Sequence, residues 1–185
     1  MKVLGISGSL RRDSHNTQLL RAAAELLPEG VELELWDGLK TVPPYDEDDD
    51  LAEAPAAVAE LREAIASADA ILFSTPEYNH SVPGQLKNAL DWASRPLATS
   101  PLRNKPVAVV GASMGAFGAV WAQAELRKVL AAIGARVIEG EVAVGHAHQR
   151  FGEHGQLTDD DLREQLAEVV DGLDTVTRAR DLLAA

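Results

Sequence analysis

KVLGISGSLRRDSHNTQLLRAAAELL, residues 2–27, reads as an apolar run over 2–6, a polar turn, and a helical pattern over 17–27. The chain therefore opens with a strand-to-helix turn. Within that turn, GSLRRDSHN (8–16), Ser9, Ser14, Asn16 and the following Thr17 are neutral donors, and Arg11 and Arg12 carry positive charge. The helix adds unpaired N–H groups and its positive dipole end at the same place. This chemistry suits an anion, above all a phosphate monoester. Its glycines are only Gly5 and Gly8, which match neither the dinucleotide fingerprint nor the Gly-Lys-Ser/Thr nucleotide loop. An ordinary N-cap at Ser14 flanked by solvated arginines explains the same residues.

Outward from this turn, apolar runs at 2–6, 31–36, 70–74, 106–111 and 136–138, the last open to extension through 144, alternate with helical patterns. The helices are expected at 17–27, 54–67, 83–94, 116–133 and 159–180. Strict alternation predicts an α/β fold with a parallel sheet between helical layers, the runs at 70–74 and 106–111 lying centrally. Ligands of such sheets bind beyond the carboxyl ends of the strands, where strand order reverses. The loops beginning at Ser7, Thr75 and Ala112 should therefore converge.

The second of these, TPEYNHSVPGQLKNALDW (75–92), is stiffened by Pro76 and Pro83 around Glu77, Tyr78, Asn79 and His80. It suits a flat heterocycle, with a capped turn at Ser81 and Pro83 as the plain alternative. The third, GASMGAFGAVWAQ (111–123), permits close backbone approach to a planar ligand, with Met114 and Phe117 as apolar cover, or close packing of the helix expected from 116. The segment TVPPYDEDDD (41–50) reads as a solvated acidic loop capping the next helix; it lacks the glycine spacing and terminal glutamate of a calcium loop, so no metal site is expected.

The chain has 185 residues, 46% of them hydrophobic, which suits one domain over 1–185. A formal net charge of −12 argues against a nucleic-acid partner. The absence of cysteine excludes thiolate metal sites and dithiol redox chemistry, so a redox role needs a borrowed cofactor. With no apolar stretch long enough for a signal peptide or membrane span, a soluble cytoplasmic protein without a membrane partner is expected.

The motifs at 8–16, 76–92 and 111–118, with those at 43–48 and 150–157, resemble the NADPH-dependent FMN reductase family, which includes quinone, chromate and azo-dye reductases. The resemblance implies a flavodoxin-like three-layer αβα sandwich, its five-stranded parallel sheet in order 2-1-3-4-5. It implies non-covalent FMN, with Ser9, Arg11, Ser14, Asn16 and Thr17 around the phosphate. Pro76, Glu77, Tyr78 and Asn79 would hold the isoalloxazine ring, with Ser113 and Gly115 on its other side and Leu10 at the core or the flavin edge. Family members carry an aromatic ring at the place of His80; the imidazole here is read as a half-exposed loop residue or a proton donor to a reduced quinone.

The implied reaction is ping-pong: NADPH or NADH passes a hydride to the flavin and leaves, and a quinone or other small acceptor then takes the electrons. No catalytic side chain is implied. A flavodoxin-type electron carrier and a non-catalytic flavin sensor are the alternatives. A homodimer or homotetramer is expected, with Trp92, Trp121 and Phe117 as contact candidates. Arg95, Arg103 and Lys105 are candidates for the 2′-phosphate of NADPH. Arg11→Ala should weaken FMN retention by roughly 1–3 kcal/mol through loss of a charged hydrogen bond, measured by flavin fluorescence titration; unchanged retention would remove Arg11 from the phosphate site.

Overall fold

The computed structural model describes residues 1–50 and 54–184; residues 51–53 and the expected domain end at 185 lie outside that range. Its elements are β1 (Lys2–Ser7), α1 (His15–Ala24), β2 (Glu32–Trp36), α2 (Ala56–Ser67), β3 (Ala70–Thr75), α3 (Gly84–Ala93), β4 (Pro106–Ala112), α4 (Val120–Ala132), β5 (Arg136–Val137), β6 (Ala143–Val144) and α5 (Asp160–Ala184). The sheet order is β2-β1-β3-β4-β5, with every pair parallel and β6 also paired to β4.

Period-two alternation divides the apolar side chains between two cores. Leu4, Ile6, Ile71, Phe73, Val107 and Val109 face α2, α3 and α4 through Leu61, Ile65, Leu86, Trp92 and Leu126. Val3, Leu72, Ala108 and Val110 face α1 and α5 through Leu19, Leu20, Leu166, Val170 and Leu173. β3 and β4 are buried along their whole length because helices cover both faces, whereas β2 alternates as an edge strand.

The expected fifth strand is divided. β5 pairs with the start of β4 and β6 with its end. A regular strand through 137–144 would place Glu139 and Glu141 on the same face as Val137, beneath α4, where carboxylates would be desolvated. Gly140, at φ 136°, turns the chain away instead. The Arg127 guanidinium fills the break, donating to Val109 O at 3.0 Å and to Gly140 O at 2.5 Å, and the buried Gln123 amide donates to Val142 O at 3.1 Å.

Other boundaries move for local reasons. α1 stops at Ala24, short of 27, with Glu25 as its C-cap, and Pro28 disfavours helical conformation at Leu27. α4 starts at Val120 rather than 116, since Gly118 and Ala119 are left-handed at φ 57° and 64°. A Cβ on Gly118 would lie 2.2 Å from the Ala143 backbone carbon, so this turn requires glycine.

Residues 41–50 depart from a wholly solvated, helix-capping loop. Val42 is buried, and side chains of α3 grip the segment: Gln85 donates to Leu39 O and Val42 O, Asn88 Nδ2 and Trp92 Nε1 both donate to Pro43 O, and Asn88 Oδ1 accepts from Tyr45 N. Pro55, not an acidic residue, occupies the N-cap of α2, and Asp50 pairs with Arg62 at 2.9 Å. No described helix is long and apolar enough to cross a membrane. Replacing Arg127 by Met, which keeps the aliphatic stem, should lower stability by about 1–3 kcal/mol, because Val109 O and Gly140 O lose a charged donor; urea unfolding reads this as a lower midpoint at unchanged slope.

Candidate functional site

Strand order reverses between β1 and β3, and the loops after β1, β3 and β4 meet at their carboxyl ends. In the first loop, Ser14 caps α1: its hydroxyl oxygen accepts from Asn16 N at 3.1 Å and Thr17 N at 3.4 Å. The plain capping reading is therefore realised, yet it leaves other donors free. Among the described residues, the N–H groups of Leu10, Arg12, Asp13 and Ser14 donate to no protein acceptor. Successive free amides beside a helix N-terminus form a concavity suited to an anion.

Asn16 is buried and ties the three loops' supports together. Its side-chain oxygen accepts from Ser74 Oγ at 2.9 Å and Ala112 N at 3.0 Å, while Nδ2 donates to Ala112 O at 3.0 Å. One amide hydrogen is left for a ligand. Gly8 packs against Pro76 and Leu86 so closely that a Cβ would meet Leu86 Cδ2 at 2.9 Å.

After β3, Tyr78 and Ser81 exchange both backbone hydrogen bonds across Asn79 and His80, whose φ values are 53° and 60°. This is a two-residue hairpin of type I′, not the expected cap at Ser81; α3 takes Pro83 as its N-cap, with no side-chain hydrogen bond. Glu77 reaches the third loop instead. Its Oε2 accepts from Trp121 N and Ala122 N, each at 3.1 Å, and so caps α4, whose own Ala119 has no capping side chain. His80 Nδ1 lies 3.6 Å from Glu77 Oε1, and its ring meets Trp121 edge-on.

After β4, Ser113 Oγ accepts from Gly115 N at 3.1 Å, and the loop is held by backbone bonds from His146 N to Gly115 O and Ala147 N to Ser113 O. A Cβ on Gly145 would come within 2.1 Å of Ala116 O, so this packing also requires glycine.

A cavity of about 190 Å³ lies between the loops, bordered by Ser9, Arg11, Ser14, Asn16, Pro76, Glu77, Tyr78 and Ser113. It continues past Arg11 and Tyr78 into a space of about 360 Å³ beside Leu10 and Pro83. Of the expected residues, Thr17, Asn79 and Gly115 do not line the first cavity. Leu10 is 46% exposed, at the cavity wall and not in the core. His15 and Ala112 line the cavity without having been singled out; His15 is held by Gln18, an i,i+3 neighbour on α1, and by stacking on the distant Phe151, which has no local signature.

The NADPH-dependent FMN reductase family profile matches residues 1–149. The chain belongs to this family. FMN reductases are flavoenzymes that use a nicotinamide dinucleotide as electron donor, and the donor set of the first loop fits the phosphate of FMN. The sequence is 45% identical to an NAD(P)H-dependent FMN reductase of Pseudomonas aeruginosa over 94% of this chain and 93% of that protein. It is 40% identical to a 2-hydroxy-1,4-benzoquinone reductase of Burkholderia sp., over 92% and 93% respectively. The solved structure of FerB, a flavoenzyme NAD(P)H:(acceptor) oxidoreductase from Paracoccus denitrificans, superposes with a TM-score of 0.81 at 34% identity, over 94% of this chain and 97% of that one.

Two expectations about this FMN reductase change. Trp92 is fully buried against Tyr45 and offers no contact surface, whereas Phe117 and Trp121 are 64% and 41% exposed beside the cavity. Arg103 and Lys105 precede β4 and Arg95 follows α3, which places all three at the amino edge of the sheet, away from the loops; the Lys105 ammonium donates to Ala68 O, and burial holds its pKa below the ordinary value. Glu77→Ala should destabilise the fold by about 0.5–2 kcal/mol through loss of the α4 cap. Asn16→Ala should cost more, roughly 3 kcal/mol, because it leaves both polar groups of Ala112 without that partner. Urea titration of the two variants checks the ranking.

Proposed function

We propose that this protein is an FMN-dependent NAD(P)H oxidoreductase that reduces quinones or similar small acceptors by a ping-pong cycle at one site. The observation that carries the reading is the set of free backbone amides at Leu10, Arg12, Asp13 and Ser14, opening beside a cavity bordered by three separate loops. Those amides, with Ser9, the Ser14 hydroxyl, the remaining Asn16 hydrogen, Thr17 and the Arg11 guanidinium, would hold the FMN phosphate. Pro76, Glu77, Tyr78 and Asn79 would line one side of the ring system, and Ser113 and Gly115 the other. Bound FMN supplies the electron chemistry, hydride uptake from NAD(P)H and delivery of two electrons to an acceptor.

The chain's own residues bind and orient. The type I′ turn at Asn79 and His80 and the Glu77 cap hold the ring-binding loop rigid, so that orientation costs little ordering on binding. His80, 75% exposed beside Glu77 and outside the cavity lining, is read as a loop residue near the flavin. Quinones as acceptors are supported by the names of the relatives from Burkholderia, Pseudomonas putida and Escherichia coli. We read residues 1–185 as one flavin-binding domain, supported by a single sheet shared by both cores. The exposed rim of Tyr78, Met114, Phe117 and Trp121 supports association with a second copy over the cavity mouth.

The test is an anaerobic absorption experiment on protein incubated with FMN and desalted. Retained flavin bands that bleach on NADPH or NADH and return on quinone addition are expected, with parallel lines in double-reciprocal initial-rate plots. Bands that do not bleach with either donor would point to a carrier or sensor, and intersecting lines would exclude the ping-pong order.

A further inference from the structure

A second cavity, of about 420 Å³, opens behind the first loop at the carboxyl ends of β1 and β2. That volume lies within the roughly 300–1,000 Å³ of small-molecule sites. Arg12, Arg21 and Lys40 line it together with Arg11, against a single carboxylate, Asp37. This concentration of cations stands on a chain of formal net charge −12.

Elsewhere many of the cations of this protein are neutralised; those that pair with no carboxylate among the described residues, Arg95, Arg103, Lys105, Arg136 and Arg163, line none of the cavities described above. Arg62, Lys87, Arg127, Arg150, Arg178 and Arg180 each pair with a carboxylate. Among the described residues Arg12, Arg21 and Lys40 pair with none. Four cations that share a cavity with a single carboxylate repel, and an anion relieves that repulsion. The half-buried Trp36 forms an apolar wall beside them. A basic, partly aromatic cavity matches a phosphorylated nucleoside better than a bare anion.

Resting on the reductase reading, we infer that this cavity receives the adenosine end of NADPH, with Arg12, Arg21 and Lys40 around its 2′-phosphate, and so selects NADPH over NADH. The two nucleotides differ only in that phosphomonoester, so any preference must come from groups that meet it. The cavity shares Ser9 and Arg11 with the site assigned to FMN and lies on the same sheet edge, as a donor that reaches the flavin requires. Arg95, Arg103 and Lys105, at the opposite edge, cannot meet the same molecule.

The experiment compares FMN-loaded wild type with Arg21→Ser, Lys40→Ser and the double variant. Each single substitution should lower kcat/KM for NADPH about tenfold through KM, while kcat, the NADH parameters and FMN retention stay within about twofold. Equal losses with both donors, or no loss with either, would overturn the inference. Calorimetric titration gives a readout independent of turnover: adenosine 2′,5′-bisphosphate should bind wild type more tightly than 5′-AMP, and Lys40→Ser should erase the difference. Inorganic phosphate binding as tightly as the bisphosphate would reduce the cavity to a plain anion site and refute the assignment. A wild type that is reduced by neither donor sinks the reductase reading; one reduced equally by both, and indifferent to the 2′-phosphate, sinks this inference alone.

Discussion

The Asn16 side chain is the hinge pin of the molecule. From the first turn of α1 it holds Ser74 at the end of β3 and both backbone groups of Ala112 at the end of β4. Buried amide bonds of this kind contribute only about 1 kcal/mol each, but leaving them unmade costs more, because Ala112 lies where water does not reach. The register of the sheet fixes where β3 and β4 end; Asn16 fixes where the helix after β1 begins relative to them. The bases of the three loops that border the cavity are therefore tied to one another through one side chain.

A second connection works at the level of the loops. Glu77 leaves the loop after β3 to cap α4, whose N-terminus would otherwise present unsatisfied amides. The left-handed residues Gly118 and Ala119 explain why α4 cannot cap itself: the chain enters the helix from a turn that places no polar side chain at the N-cap. Rigidity on the aromatic side of the cavity thus follows from electrostatics at a helix end, and the ring-binding residues inherit it.

Much of this was legible in the sequence for identifiable reasons. The parallel sheet between helical layers and the convergence of loops follow from apolar periodicity and alternation, which are local signals acting over whole elements, whereas the strand order was implied by the resemblance to the FMN reductases. The phosphate-friendly turn was visible because its donors are contiguous. What the sequence concealed is long-range: Glu77 reaching α4, Gln85, Asn88 and Trp92 gripping the segment at 39–45, and Arg127 crossing to the far strand. The divided fifth strand had a local hint, the charges of Glu139 and Glu141 flanking Gly140, but its repair by a guanidinium from another helix had none. The type I′ hairpin had its hint in Asn79, a residue that tolerates positive φ.

The broken β5–β6 edge also governs how molecules of this protein can meet. A sheet margin with continuous unpaired amides is a template for strand addition and fibrous aggregation. Here one margin offers only two two-residue strands with a charged side chain lodged between them, and the other, β2, carries outward Glu32 and Glu34, the latter paired with Lys2. Short strands with a lodged guanidinium at one margin, and glutamates at the other, are features that disfavour a further strand. Both margins thus disfavour the backbone pairing by which sheets add strands, and leave the side-chain faces as the surfaces on which other molecules can be met.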